Sequence, residues 1–257
     1  MKLVISPAKS LNWETNYSEN LQLSQPRFLE ESAKVNNALR RYSPKKLMTL
    51  QSISINLAEL NYSRNQNWQA ETDDIYGMPA VFAFDGDVYR GLQILDWAEQ
   101  NQNRIQSDLR ILSGLYGILK PFDIIRQYRL EMGTRLKIRH ADNLYQFWRK
   151  HIAASLKAEM EEGERLLNLA SSEYFKSIDL KVLNRPVTQV EFKERSQSGF
   201  KVMSFYAKKA RGMMARHIIE NNIKDINGVT SFDKDGYFFD SENSSEEKLV
   251  FLNEREK

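Results

Sequence analysis

The apolar positions of this chain fall into short runs and helical stripes that alternate from end to end. Leu3, Val4 and Ile5 form a brief contiguous run halted by Ser6 and Pro7, the pattern of a short buried strand over 2–5. Segments 26–41 and 44–62 each open on a proline, which a first helical turn tolerates, and predict two helices, the second carrying Leu50, Ile53, Leu57 and Leu60 on one stripe. Residues 80–84 and 109–112 predict strands. Residues 142–160 predict a long helix with Leu144, Phe147, Trp148, Ile152, Leu156 and Met160 on its buried face, and 166–170 a further buried strand. Segments 187–194 and 200–206, joined by the turn-prone Ser196-Gln-Ser-Gly199, predict a β-hairpin that leads into a helix over 207–222. This alternation predicts a mixed α/β fold, a mixed sheet flanked by helices. No repeat or low-complexity linker divides the chain, so 1–257 is expected to form one compact domain.

Composition narrows the function classes. With 41% hydrophobic and 28% charged residues the chain reads as an ordinary soluble globular protein. The apolar start is too short for a secretory leader, and the longest apolar stretch, Met78 to Phe84, falls far short of a membrane span of roughly 18 residues. A cytoplasmic protein with no membrane partner is the expectation. Cysteine is absent, which excludes disulfides, thiolate metal sites and cysteine nucleophiles. The three histidines, His140, His151 and His217, form no metal-binding spacing, so neither a built-in metal centre nor a cofactor is expected. Glycine-rich nucleotide loops and the Gly-x-Ser-x-Gly elbow are also missing.

The net charge is only +3, but it is unevenly spread. Arg104 to Lys150 holds ten basic residues against four acids, and Lys201 to Arg216 five against none, whereas from Asp225 onward nine acids face four bases. In the predicted helix over 207–222 the apolar arc is Ala207, Ala210, Met213, Met214 and Ile218, and Lys208, Lys209, Arg211 and Arg216 lie on the opposite arc. Such a basic face suits phosphate contacts, or is solvated, or pairs with the acidic C-terminal segment. A second cluster, Leu112-Ser-Gly-Leu-Tyr-Gly117 with Tyr128-Arg-Leu-Glu-Met-Gly133, offers Tyr116, Arg126 and Arg129 for stacking or phosphate binding; simple turn chemistry with an Arg129–Glu131 surface pair is the alternative. Asp85 and Asp87 flank Gly86 and read either as Mg²⁺ ligands or as an ordinary Asp-Gly turn. Lys9, just past the first strand, is an anion ligand or a free surface charge.

These stretches, with Leu144-Tyr-x-Phe-Trp148, Asn168-Leu-Ala-Ser-x-Glu-Tyr-Phe-Lys176 and Gly236-Tyr-Phe-Phe-Asp240, occur in an order that resembles the YaaA family. Ser10 stands where that family usually has threonine, and Gln127 where a proline usually precedes Tyr128. The resemblance implies a cytosolic peroxide-response protein that lowers unincorporated iron and so limits oxidative damage. It also implies an α/β fold with a positively charged cleft, a helix-hairpin-helix-like element and DNA binding.

Two functions of different class follow. One is a DNA-binding stress protein of little sequence specificity, monomeric, gripping the backbone through Lys9, Arg126, Arg129, Lys208, Lys209, Arg211 and Arg216. The other is an enzyme acting on a nucleotide or nucleobase, with Lys9, Asp87, Tyr116, Arg129, Glu131, Glu173 and Lys208 converging in one pocket. An open groove shared by the basic residues alone favours the first. A concave pocket that gathers the mixed set favours the second.

Overall fold

The computed structural model describes residues 1–71 and 75–255. Eight strands build the sheet: β1 (Lys2–Ile5), β2 (Leu109–Ser113), β3 (Gly117–Leu119), β4 (Leu166–Leu169), β5 (Val187–Ser196), β6 (Gly199–Lys201), β7 (Tyr237–Phe239) and β8 (Lys248–Asn253). Their spatial order is β7-β8-β5-β4-β1-β2-β3, with β6 hairpinned onto β5. β1, β2, β4, β5 and β8 run parallel, and the edges β3 and β7 are antiparallel, so the fold is mixed α/β. Leu3 pairs with both Leu109 and Leu167, and Ile5 with both Ile111 and Leu169. That placement explains the unbroken apolar run at the N-terminus, because a central parallel strand is covered on both faces.

Counted along the chain, the parallel strands lie in the order 2-1-3-4-5. From β1 the chain first builds outward to β2, then returns across β1 to lay down β4, β5 and β8. The direction reverses between β1 and β4, and in open α/β sheets a ligand crevice forms beyond the carboxyl ends of the strands at that reversal.

The longer helices are α1 (Leu29–Leu39), α2 (Pro44–Gln51), α3 (Ile55–Asn67), α4 (Asp87–Leu92), α5 (Ala98–Asp108), α6 (Leu144–Glu159) and α7 (Ser204–Glu220). α6 follows the expected stripe, is capped by Asn143, whose side chain accepts from the Gln146 N–H, and buries Trp148 against Gly117. α5 and α7 pack on the sheet and on each other. α7 also crosses α4 at backbone contact. A Cβ on Gly212 would lie 1.8 Å from the Val88 carbonyl oxygen, and one on Gly91 2.0 Å from that of Lys209. Two glycines therefore set how closely α7 approaches α4.

Several expectations are corrected. The helix expected over 44–62 is two, because Ser52 turns left-handed (φ 52°) and Ser54 caps a new helix through the Leu57 N–H. The proposed stripe is thereby broken, and Leu60 is exposed while α3 buries Ala58, Asn61 and Asn65. Residues 80–83 form a helical turn rather than a strand; a fully buried apolar run lacks the periodicity that separates the two. The first predicted helix begins at Leu29, three residues after Pro26. The hairpin's second arm ends at Lys201, and α7 starts at Ser204 rather than Ala207. Gly114 and Gly117 belong to the β2–β3 hairpin, the turn chemistry that is one of the two readings of that segment.

Candidate functional site

The carboxyl ends of β1 and β4 are tied together at the reversal point. The Ser171 N–H donates to Ser6 Oγ at 2.9 Å, the Ala170 N–H donates to Asn168 Oδ1 at 2.8 Å, and the Tyr89 hydroxyl donates to the Ser6 carbonyl at 3.2 Å. Directly beyond lies a cavity of about 250 Å³, lined by residues 6–10 and 85–89 and by Glu131, Ser171, Glu173, Tyr174, Lys208 and Arg211. Its parts arrive from five places in the sequence: the loop after β1, the start of α4, the loop 128–133, the helical turn after β4, and α7. Tyr89 and Tyr174 of its lining are buried together with Tyr128, and burial pushes all three hydroxyls well above the ordinary tyrosine range. They stay protonated and neutral.

The wall carries both signs of charge. Glu131 is fully engaged, Oε2 with Lys9 Nζ at 2.9 Å and Oε1 with Arg129 Nη2 at 3.2 Å, while Arg129 Nη1 donates to the Lys9 carbonyl at 3.4 Å. Glu173 Oε1 accepts the Gly133 N–H at 2.8 Å. A side chain on Gly133 would press on that same oxygen at 3.0 Å, so this position suits glycine. Asp87 and Asp85 both reach Arg90, at 3.6 and 3.8 Å. Gly86 brings this turn against the first loop, where a Cβ would meet that of Ala8 at 2.9 Å.

Lys208 and Arg211, one helical turn apart on α7, face the cavity without a carboxylate partner among the described residues. Lys208 is exposed at its mouth. Arg211 is drawn inward: its Nε is buried with no hydrogen-bond partner, and burial holds its guanidinium below the usual arginine range.

The other proposed residues go elsewhere. Lys209 and Arg216 share a different stripe of α7, seven residues apart. Lys209 pairs with Asp235 at 3.3 Å, and Arg216 pairs with Glu220 at 3.0 Å and Asp96 at 3.5 Å while lying over the Trp97 ring. Arg126 sits over Tyr76 and near Gln69. Tyr116 is a core residue outside the cavity: its buried oxygen accepts from Trp68 Nε1 at 3.0 Å and from the Arg126 N–H at 3.1 Å, and burial raises its pKa to about 12. Of the mixed set, then, Lys9, Asp87, Glu131, Glu173 and Lys208 converge on one pocket, Arg129 adjoins it through Glu131, and Tyr116 does not. Ser6, Ser171, Tyr89 and Tyr174 complete the pocket and were not singled out as site residues. The signal for the two serines is positional, since each closely follows an apolar strand run. Among the described residues no group of three or more histidine or carboxylate side chains is placed to hold a metal ion, and no helix is long and apolar enough to cross a membrane.

Comparison with known proteins places this chain in a family. Residues 1–243 match the family described as peroxide stress protein YaaA. A UPF0246 protein of Flavobacterium psychrophilum is 45% identical over 251 residues, covering 98% of this chain and 99% of its own length. One of Aliivibrio fischeri is 43% identical over 258 residues, covering 100% and 99%, and one of Idiomarina loihiensis is 41% identical over 259 residues, covering the whole of both. The chain belongs to the YaaA (UPF0246) family of peroxide stress proteins.

Proposed function

We propose that this peroxide stress protein works by binding a phosphate-bearing ligand of nucleotide size in the pocket between β1 and β4, with Arg211 and Lys208 as the anion seat. The carrying observation is Arg211, a half-buried cation whose Nε is closed off from water without a hydrogen-bond partner and whose guanidinium has no counter-ion among the described residues. A charge drawn part-way out of water loses hydration that a paired anion restores, so an anion in the cavity suits this arrangement. The carboxylates alongside supply acid–base groups should the bound nucleotide be turned over.

The test compares nucleotide binding and stability in Arg211→Gln. Loss of a charge-assisted contact should weaken mononucleotide binding about ten- to a hundredfold. The unliganded variant should be as stable as the parent or more so, because an unpaired, half-buried charge has gone. Unchanged binding with lowered stability would make Arg211 a structural group.

DNA binding is the second reading, favoured by Lys208, whose unpaired ammonium stands at the pocket mouth where a strand's phosphate can reach it. Lowering of unincorporated iron, and of the oxidative damage it drives, is the cellular outcome we assign to either kind of binding. Lys208→Ala should reduce the slope of log K against log salt for duplex DNA by roughly 0.9, whereas Lys209→Ala, already paired with Asp235, should leave it unchanged. Equal effects of the two variants would show that DNA reads the helix as one continuous basic face.

A further inference from the structure

Taking Arg211 and Lys208 as the anion seat, as proposed above, we propose further that the carboxylates of the same pocket select the base, and that the nucleotide recognised carries guanine. An ionised carboxylate only accepts hydrogen bonds, so whatever meets this wall must present N–H groups. Four carboxylates line the cavity, but they are not equally free. Glu131 is consumed by Lys9 and Arg129, and Asp85 lies at the exposed edge beside Arg90. Glu173 is different. The Gly133 N–H fixes one of its oxygens at 2.8 Å, while Oε2 takes no hydrogen bond among the described residues. Asp87, held only loosely at 3.6 Å from Arg90, is the second carboxylate with capacity left.

The pocket therefore offers two cations from α7 for a phosphate and an oriented, half-satisfied carboxylate from the turn after β4. Among the common bases guanine alone sets two N–H donors side by side on its pairing edge, N1–H and N2–H, matching the open Oε2 of Glu173 and the second lone pair that its Oε1 keeps beside the Gly133 N–H. Adenine and cytosine present one amino group beside an acceptor nitrogen, which a carboxylate repels. Uracil and thymine present one N–H flanked by two carbonyl oxygens. The cavity of about 250 Å³ has room for one nucleotide and not for a duplex. The ligand is either free guanosine monophosphate or a single guanine nucleotide at the end of, or turned out from, a strand.

Calorimetry on the unmodified protein tests this with GMP, AMP, CMP, UMP and ribose 5-phosphate at one salt concentration. GMP should bind about ten- to a hundredfold tighter than AMP, the discrimination expected of a bidentate contact, and ribose 5-phosphate should bind measurably but more weakly. Glu173→Gln should erase the preference for GMP while keeping the affinity for ribose 5-phosphate. Equal affinity for all four nucleotides, with ribose 5-phosphate still binding, overturns the guanine inference and leaves the anion seat standing. Failure of every phosphate probe overturns both. Short single strands ending in guanine or adenine then separate the two sources: a guanine preference in the strands supports a nucleic-acid end, and its restriction to GMP supports a free nucleotide.

Discussion

Substituting Gly212 by alanine sets two large effects against each other. In an isolated helix the change would stabilise by about 1 kcal/mol, since alanine is the better helix former. Here the new methyl would lie 1.8 Å from the Val88 carbonyl oxygen and 2.7 Å from the Leu92 nitrogen, both of them backbone atoms that cannot rotate away. The crossing must open by more than 1 Å to reach even the tightest separation that Cβ atoms adopt. A gap of that size forfeits a quarter to a half of each dispersion contact across it, and the residues at the crossing, Val88, Leu92, Ala210 and Met214 among them, are all buried. With an overpacking penalty of about 1–3 kcal/mol, raised by the rigidity of backbone, the net expectation is a loss of about 2–4 kcal/mol. Urea unfolding followed by circular dichroism reads this directly as a lower midpoint at unchanged slope. Lys208→Ala is the companion measurement, because an exposed change on the same helix should stay within about 0.5 kcal/mol of the parent. The opening would also carry Lys208 and Arg211 away from Asp87 and Tyr89, so phosphate affinity should fall along with stability. A Gly212→Ala protein as stable as its parent would refute the argument that backbone contact sets this crossing.

Two further outcomes follow from buried polar groups. Asp123, held by Ser24 Oγ at 2.6 Å and the Lys120 N–H at 2.8 Å, is raised by burial from 3.8 to about 6. Between about pH 4 and 6 the folded chain keeps a proton that the unfolded chain has released, so this group lowers stability as pH rises through that window, by about 3 kcal/mol at most. Unfolding free energies from pH 4 to 7.5 should fall more steeply in the parent than in Asp123→Asn, and parallel curves would count against it. Tyr116→Phe should leave the Trp68 indole N–H and the Arg126 amide without their acceptor and cost about 1–3 kcal/mol, with nucleotide and DNA affinity unchanged; a selective loss of binding would return Tyr116 to the site.

How much was legible in the sequence depended on whether the signal was local. β1 and β4 were readable because buried parallel strands are contiguous apolar runs, and α6 because its stripe holds for four turns behind an asparagine cap. The break between α2 and α3 depends on one left-handed serine, which apolar spacing does not record. β8, over Lys248–Asn253, is a short run inside an acidic segment, and its place as a strand rests on parallel pairing with β5, Lys248 opposite Gln189, a contact that local pattern does not record. In the site, the mixed acids and bases could be named because they cluster in short motifs. Their sorting could not. Whether Lys208 or Lys209 meets the pocket turns on Asp235, and whether Tyr116 is a pocket or core residue turns on Trp68, contacts spanning 26 and 48 residues.

The sheet order also bears on how the chain is made. β1 is synthesised before the other seven strands of the sheet, yet it occupies the middle, and its two neighbours are completed only at residues 113 and 169. At ribosomal speeds of about 5–20 residues per second, the interval before β4 exists is about ten to thirty seconds. Through that interval Leu3 to Ile5 form an apolar segment with at least one unpaired edge, open to pairing with another chain. A protein called upon under oxidative stress thus begins each new copy with its most exposed moment. The pocket, which needs both Ser6 and Arg211, comes into being only after α7 has emerged.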